Sequence, residues 1–301
     1  MKKTLLVYNI LTSSVSKKTV EKTIKILGKH NIHADTIKTA VVGEAKDKIL
    51  NKLDKGRVDF VTVLGGDGII NEAVNALAYK DIPLGIIPHG TTNAFAREKG
   101  IPLSVRKAVR VFREENLRTI DLGLINDEKY FMMMCSYGFD VKALSEINLM
   151  LKKKLKVLAY IFYGVRAFLL HRPVKVVASL DNVEKYEGYF CIINNVKSYG
   201  NPLAKITPHA STEDGFLDVC IFKNSNKFSF LKNVIGVFTT RHINFEDVVY
   251  FQTNNKLKIE IKEGSSRQEN LQVQLDGDVL SNLPIEVKPA KSALKIFLPR
   301  G

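Results

Sequence analysis

Cysteine is scarce in this 301-residue chain: Cys135, Cys191 and Cys220 stand far apart, and no C-x-x-C occurs. That excludes a disulfide framework and a thiolate zinc site, and it fits a reducing cytoplasm. Long apolar runs are missing too. The longest stretch without a charge, residues 82–96, is broken by Pro83, Gly85, Pro88 and Gly90, and reads as a strand and a loop, not a bilayer helix. The opening MKKTLLVYNILTSS has an apolar core of only about six residues and no clean small-residue cleavage site, so it reads as a first strand and not as a leader. Acidic residues are outnumbered, 31 against 45 Lys and Arg, for a net charge of +14. An anionic partner follows: nucleic acid, a phosphorylated small molecule or an anionic membrane. No nucleic-acid recognition motif or aromatic-interleaved basic tract is present, so charge alone supports no specific nucleic acid. Apolar content of 45% is ordinary, and the length suits roughly two domains with a substantial core.

The first 120 residues alternate strand and helix. Leu5–Ile10, His33–Thr39, Asp59–Leu64 and Pro83–Pro88 are strand candidates. Helical spacing runs over Thr19–Lys29 and Ala45–Leu53, and a third helix is expected from Ile70. This pattern predicts an α/β domain with a mostly parallel sheet. From about Ile120 strands dominate: Tyr130–Phe139, Val174–Leu180, Tyr186–Asn194, Phe216–Phe222, the alternating KLKIEIK of 256–262 and LQVQL of 271–275. These predict an antiparallel sandwich or barrel. The domains are therefore placed at 1–121, with a last segment of about 289–301 returning to it, and 122–288. One stretch interrupts the strands. Leu144, Ile147, Leu151, Leu155, Leu158, Phe162, Val165 and Leu169 step by three or four, amid Lys152, Lys153, Lys154, Lys156, Arg166 and Arg172. It reads as a helix packed on the sandwich or as a basic surface for anionic lipid.

Two segments carry chemistry. In VLGGDGIINE (63–72) a strand runs into Gly65-Gly66-Asp67-Gly68 and a helix. Glycines there admit a ligand close to the backbone, and a helix N-terminus favours phosphate. Asp67 suits a magnesium ion or its waters, with Asn71 and Glu72 expected on the first turn. A tight connection with an Asp cap is the bland alternative. In IIPHGTTNAFAR (86–97), Gly90, Thr91, Thr92 and Asn93 form a second polar turn, and Arg97 supplies a cation. Both turns leave the carboxyl ends of strands, where open α/β sheets bind ligands.

GGDG-x-x-NE followed by P-x-GT-x-N-x-FAR resembles the diacylglycerol kinase catalytic domain family in its soluble bacterial lipid-kinase branch; sphingosine kinases and NAD kinases look like more distant relatives. IDLGLIN (120–126), YFMMMCSYGFD (130–140), STEDGFLDVCIF (211–222) and VQLDGDVLSNLPIEVKPAKSALKIFLP (273–299) resemble its later segments, so the likeness spans nearly the whole chain. It implies an α/β nucleotide domain, an antiparallel β-domain and an active site in the cleft between them. It implies transfer of the ATP γ-phosphoryl group to a hydroxyl of diacylglycerol or a similar long-chain lipid, with Mg²⁺, by a cytoplasmic protein acting peripherally at an anionic membrane. A homodimer is open to it. By position, Asn9, Thr39, Gly65, Gly66, Asp67, Gly68, Ile69, Ile70, Asn71, Glu72, Gly90, Thr91 and Asn93 would serve the nucleotide. Arg97 would balance phosphate charge, and Ser211, Asp214 and Phe216 would hold a structural metal, the first and last through carbonyls. Asp278 stands where the family has the general base Glu of DGE; its bland alternative is a hairpin turn at Asp276-Gly277. Met132, Met133, Met134 and Phe139 offer an apolar lining for acyl chains or ordinary core.

The chain departs from the family pattern in places. Tyr8–Lys18 keeps Asn9 but lacks the Pro and Gly of the family's first loop, and Lys17 aligns with the family's Lys only with a shift, leaving Thr12, Ser13 and Ser14 to meet phosphate. Ile69 replaces a Thr, and Ala94 replaces an Asp that diacylglycerol kinases use near magnesium. A nucleotide- or lipid-binding regulator with impaired catalysis, and a NAD kinase, are the competing readings.

Overall fold

The first strand, β1 (Lys2–Asn9), buries Leu5, Leu6 and Val7 in succession, the signature of a strand covered on both faces. Neighbours β3 (Phe60–Gly65) and β4 (Leu84–Pro88) are buried throughout. With β2 (Ile32–Thr39) they form a parallel sheet in the order β2-β1-β3-β4. Helix α1 (Lys17–Lys29) starts at Ser16, whose hydroxyl accepts the Thr19 N–H at 3.2 Å. Val20 and Leu27 of α1 share one core with Val109 and Phe112 of α5 (Val105–Arg113) and with Leu6, Phe60 and Leu64. Two further helices, α2 (Glu44–Leu53) and α3 (Asp67–Leu77), pack on each other. Strand order 2-1-3-4 places the topological reversal between β1 and β3, where doubly wound sheets take ligands.

The structure is a computed structural model that describes residues 1–10, 15–113, 116–138, 174–181, 183–198, 203–264 and 271–300. It divides into two units: Met1–Asp121 with Ser292–Gly301, and Leu122–Lys291. Two strands carry the chain from one unit to the other, β5 (Leu117–Ile125) and the 13-residue β16 (Ile285–Phe297). The end of β16 joins the first unit's sheet beside β4, with Ile296 opposite Leu84. There Phe297 packs edge-on against Phe60, with centroids 5.3 Å apart. The changeover falls at Ser292: Ser292 has φ +49°, and its N–H donates to the buried Asp121 carboxylate at 2.7 Å.

Two antiparallel sheets make up the second unit. One runs β9 (Glu184–Gly188), β8 (Val176–Leu180), β13 (Leu257–Ile261) and the first part of β16, beside β5 and β6 (Lys129–Phe131). The other runs β12 (Val248–Thr253), β11 (Leu217–Phe222), β10 (Phe190–Asn194), β7 (Met134–Tyr137), β14 (Gln272–Leu275) and β15 (Asp278–Asn282). Their inward residues, among them Leu257, Ile259, Val219, Ile193 and Val273, form one core, so the architecture is a sandwich.

Several expectations change. Tyr186–Asn194 is two strands in different sheets, because the chain turns at Gly188; a Cβ there would meet the Ile221 Cγ2 at 2.4 Å. Tyr130–Phe139 likewise splits into β6 and β7. Helix α3 begins at Asp67, three residues before Ile70, with Gly66 as its cap. A helix absent from the expectations, α6 (Lys227–Thr239), follows β11. The 142–172 stripe, Phe139 and Thr12–Ser14 lie outside the described residues. Met132, Met133 and Met134 are buried.

Candidate functional site

Register places Asn9 opposite Thr39 and Gly65 opposite Pro88, so the ends of β1, β2, β3 and β4 share the carboxyl edge of the first unit's sheet. The Thr39 hydroxyl donates to the Tyr8 carbonyl at 3.3 Å. Both glycine turns leave this edge side by side. His89 N–H donates to the Gly65 carbonyl at 2.7 Å. A Cβ on Gly90 would stand 2.5 Å from the Gly66 Cα and 2.9 Å from the Asn93 Oδ1. The two turns are therefore packed backbone on backbone, an approach only glycine permits. Asn93, at φ +50°, ties the second turn to itself: its Oδ1 accepts the Gly90 N–H at 2.7 Å and its Nδ2 donates to the Gly90 carbonyl at 2.9 Å.

Asp67 opens α3 and reaches across to the second turn. Its carboxylate accepts the N–H groups of Ala94 at 3.0 Å and Phe95 at 3.3 Å, capping the short α4 (Ala94–Glu98). Burial pushes this carboxyl above its ordinary value, against the pull of those two amides. The N-cap of α3 is Gly66, which offers no side chain, so no side-chain cap occupies the first-turn amides. That leaves a helix N-terminus with a cradle of glycine backbone, chemistry suited to phosphate.

Other expected residues take different places. Asn71 and Glu72 lie on the second turn of α3, because the helix starts early. Asn71 is buried and accepts a hydrogen bond from the Asn75 Nδ2 at 2.7 Å. The Glu72 carboxylate accepts the N–H groups of Gly43 at 2.9 Å and Ala45 at 2.7 Å, standing in for the cap that Gly43 cannot supply to α2. Ile69 and Ile70 are buried, so only their backbone can face a ligand; Gly68 and Thr91 are exposed. Arg97 is exposed on α4, and its Nε donates to the Thr92 carbonyl at 3.0 Å, bracing the loop.

In the second unit, Asp276 and Gly277 form a two-residue hairpin loop between Leu275 and Asp278, with φ of +49° and +94°. Positive φ at both positions is the type I′ pattern that favours Asp-Gly. Asp278 opens β15 and is exposed. Asp276, expected only as a turn residue, is also the structural anchor. Its carboxylate accepts the N–H groups of Met132 at 2.7 Å and of Met133 and Met134 at 2.8 Å each. The buried Gln274 adds to the bracing: its Oε1 accepts the Gly277 N–H and its Nε2 donates to the Ser136 hydroxyl, both at 2.8 Å. No signal in the sequence pairs Asp276 with residues some 140 positions upstream.

Ser211, Asp214 and Phe216 lie on one loop before β11. The Ser211 hydroxyl accepts the Glu213 N–H at 3.2 Å, the Asp214 Oδ1 accepts the Phe216 N–H at 3.0 Å, and the Lys291 ammonium lies 5.9 Å from the Phe216 ring. Among the described residues, no three His, Cys, Asp or Glu side chains converge as a metal site, and no helix is long and apolar enough to cross a membrane.

Residues 3–125 match the model of the diacylglycerol kinase catalytic domain, and residues 133–298 match that of the YegS C-terminal NAD kinase beta sandwich-like domain. A protein named diacylglycerol kinase from Bacillus subtilis (strain 168) is 28% identical over 310 residues, covering 100% of this chain and 97% of its own length. Another of that name from Mycobacterium tuberculosis (strain CDC 1551 / Oshkosh) is 31% identical over 264 residues, 85% of this chain and 82% of its own. A crystal structure of a diacylglycerol kinase from Bacillus anthracis str. Sterne superposes with a TM-score of 0.78 at 21% identity, covering 99% of this chain and 97% of that one, and so shares the fold. Matched along both of its units, the chain belongs to the diacylglycerol kinase family of lipid kinases.

Proposed function

We propose that this protein transfers the γ-phosphoryl group of ATP to a hydroxyl of diacylglycerol or a similar long-chain lipid, working with Mg²⁺ at the cytoplasmic face of an anionic membrane. The observation that carries the reading is the pair of glycine turns, Gly65–Gly68 and Gly90–Asn93, packed against each other beside the uncapped start of α3. In the first unit, the amides of Gly68 and its neighbours would meet the phosphates, and Asn9, Thr39 and Thr91 on the same edge would orient the nucleotide. Arg97 adds positive charge next to the second turn.

The residues fit Mg²⁺ arriving with the nucleotide. Such an ion is held by substrate phosphates, waters and one or two carboxylates. Asp67 is the carboxylate at hand, within the first glycine turn at the start of α3. When bound, the ion would neutralise phosphate charge. A second cation at the Ser211–Phe216 loop would rest on Asp214 and the Ser211 and Phe216 carbonyls. In the second unit, Asp278 would take the proton from the lipid hydroxyl as that oxygen bonds to the γ-phosphorus and ADP leaves. It stands exposed on a turn that Asp276 and Gln274 hold still, a position suited to a base.

The test is transfer of radiolabelled γ-phosphate from ATP with Mg²⁺ to diacylglycerol, monoacylglycerol, sphingosine or ceramide in anionic mixed micelles. A labelled lipid establishes the activity and the acceptor class. ATP binding with no labelled lipid would instead favour a regulator without turnover.

A further inference from the structure

Helix α6 is inside out. A surface helix buries an apolar stripe and shows water a polar face. Here Ser229, Asn233 and Gly236 face inward with Val237, and Gly236 lies so close to His242 and Phe245 that a Cβ would meet them at 3.0 Å or less. Lys232 also turns toward the body, paired with the buried Asp247 and lying over the Phe245 ring at 4.7 Å. Outward stand Phe228, Leu231, Ile235 and Phe238, exposed by 80%, 58%, 59% and 47%. Their spacing of three, four and three places all four within one narrow arc, a stripe about 15 Å long. Scattered exposed apolar residues need no explanation, but four in register on one helix form a patch.

We propose that α6 is an interfacial helix that docks the protein on an anionic lipid bilayer, the stripe entering the headgroup–acyl boundary while the helix lies in the plane of the surface. Charge selects this occupant. Lys223, Lys227 and Arg241 are exposed at the two ends of α6 and make no ion pair among the described residues. A basic rim around an apolar stripe matches anionic headgroups. It opposes a second copy of a chain that carries +14. At 13 residues the helix is too short to span a bilayer. The proposal deepens the lipid-kinase reading and rests on it for its biological sense, since the acceptor lipid resides in that surface.

The experiment is flotation of the full chain with vesicles of phosphatidylcholine, with and without phosphatidylglycerol, beside phosphorylation of a short-chain diacylglycerol dissolved as monomer. Replacing one stripe residue, as in Leu231→Gln, should weaken vesicle partition roughly tenfold, and Leu231→Gln/Ile235→Gln roughly a hundredfold. Lys227→Glu should weaken partition about fivefold or more, only on vesicles holding phosphatidylglycerol. Phosphorylation of the monomeric lipid should stay at the wild-type rate in all three. Unchanged partition of the stripe variants overturns the docking proposal, as does a wild-type dimer that those variants convert to monomer. Stripe-dependent partition of a chain that phosphorylates no lipid would uphold docking and remove the kinase reading instead.

Discussion

Asp276 carries a structural load, which can be separated from the catalytic role proposed for its neighbour Asp278. In Asp276→Ala, three N–H groups in a buried segment, those of Met132, Met133 and Met134, lose their acceptor together. Hydrogen bonds to a charged group contribute about 1.5–3 kcal/mol each, and a stranded buried donor costs about 1–3 kcal/mol, neither being additive. Alanine at φ +49° adds about 1 kcal/mol. The expected loss is therefore about 4 kcal/mol, near the upper end for single substitutions. Asp276→Asn keeps the left-handed preference and one acceptor oxygen. It should retain the Met133 and Met134 bonds, lose that of Met132, and cost about 2 kcal/mol. Urea unfolding gives the totals, and hydrogen exchange at residues 132–134 gives the site, with protection falling in the same order. If Asp276→Ala lies within about 1 kcal/mol of wild type, the three-amide anchor is not what holds the turn. Asp278→Asn is the contrast: turnover on lipid should vanish while stability changes by less than about 1 kcal/mol.

Three further outcomes are expected. Gly90→Ala should destabilise more than Gly66→Ala, because its Cβ would lie 2.5 Å from a Cα where that of Gly66 would lie 3.1 Å; Gly28→Ala in α1, with nothing within 4 Å, should instead gain about 0.5–1 kcal/mol, and thermal unfolding orders all three. Glu72→Ala should cost about 1–2 kcal/mol and speed exchange of the Gly43 and Ala45 amides while KM for ATP holds, since its carboxylate caps α2. Burial pushes the Asp247 carboxyl up, but the Lys232 ammonium, the Asn233 amide and its own backbone N–H together hold the group below its ordinary 3.8. The unfolded chain then takes the proton more readily, so this stabilisation is full above the ordinary value and is lost as pH falls through the folded one. Between pH 6 and pH 3, wild type should lose about 1 kcal/mol more than Lys232→Met in unfolding titrations.

What the sequence discloses follows from range. Strands β1, β3 and β4 are legible because burial on both faces writes an unbroken apolar run, and β13 because half-burial writes an alternating one. The glycine turns are legible because each is a local motif. Their packing of Gly66 on Gly90 is not, since it depends on β3 and β4 being neighbours. Asp67 is legible as a carboxylate within the first glycine turn, but its hold on the α4 amides is not, since that depends on where α4 is placed. GGDG-x-x-NE places Glu72 near the glycine turn, but nothing local in it shows that its carboxylate holds the start of α2, 27 to 29 residues upstream. Helix α6 is missed because periodicity is read with apolar residues facing in. Its inward positions, Ser229, Asn233 and Gly236, are the ones such a reading assigns to solvent.

Strand β16 has a consequence for biogenesis. Its last residues lie beside β4, and Phe297 belongs to the same core as Phe60 and Phe112. A ribosome makes the first unit's other strands early, yet must complete the whole sandwich before Phe297 is synthesised. At about 5–20 residues per second, that leaves β4 as a bare edge with an incomplete core for tens of seconds. Nascent chains should therefore expose that edge to chaperones and proteases throughout synthesis of the second unit, and release should coincide with its closure.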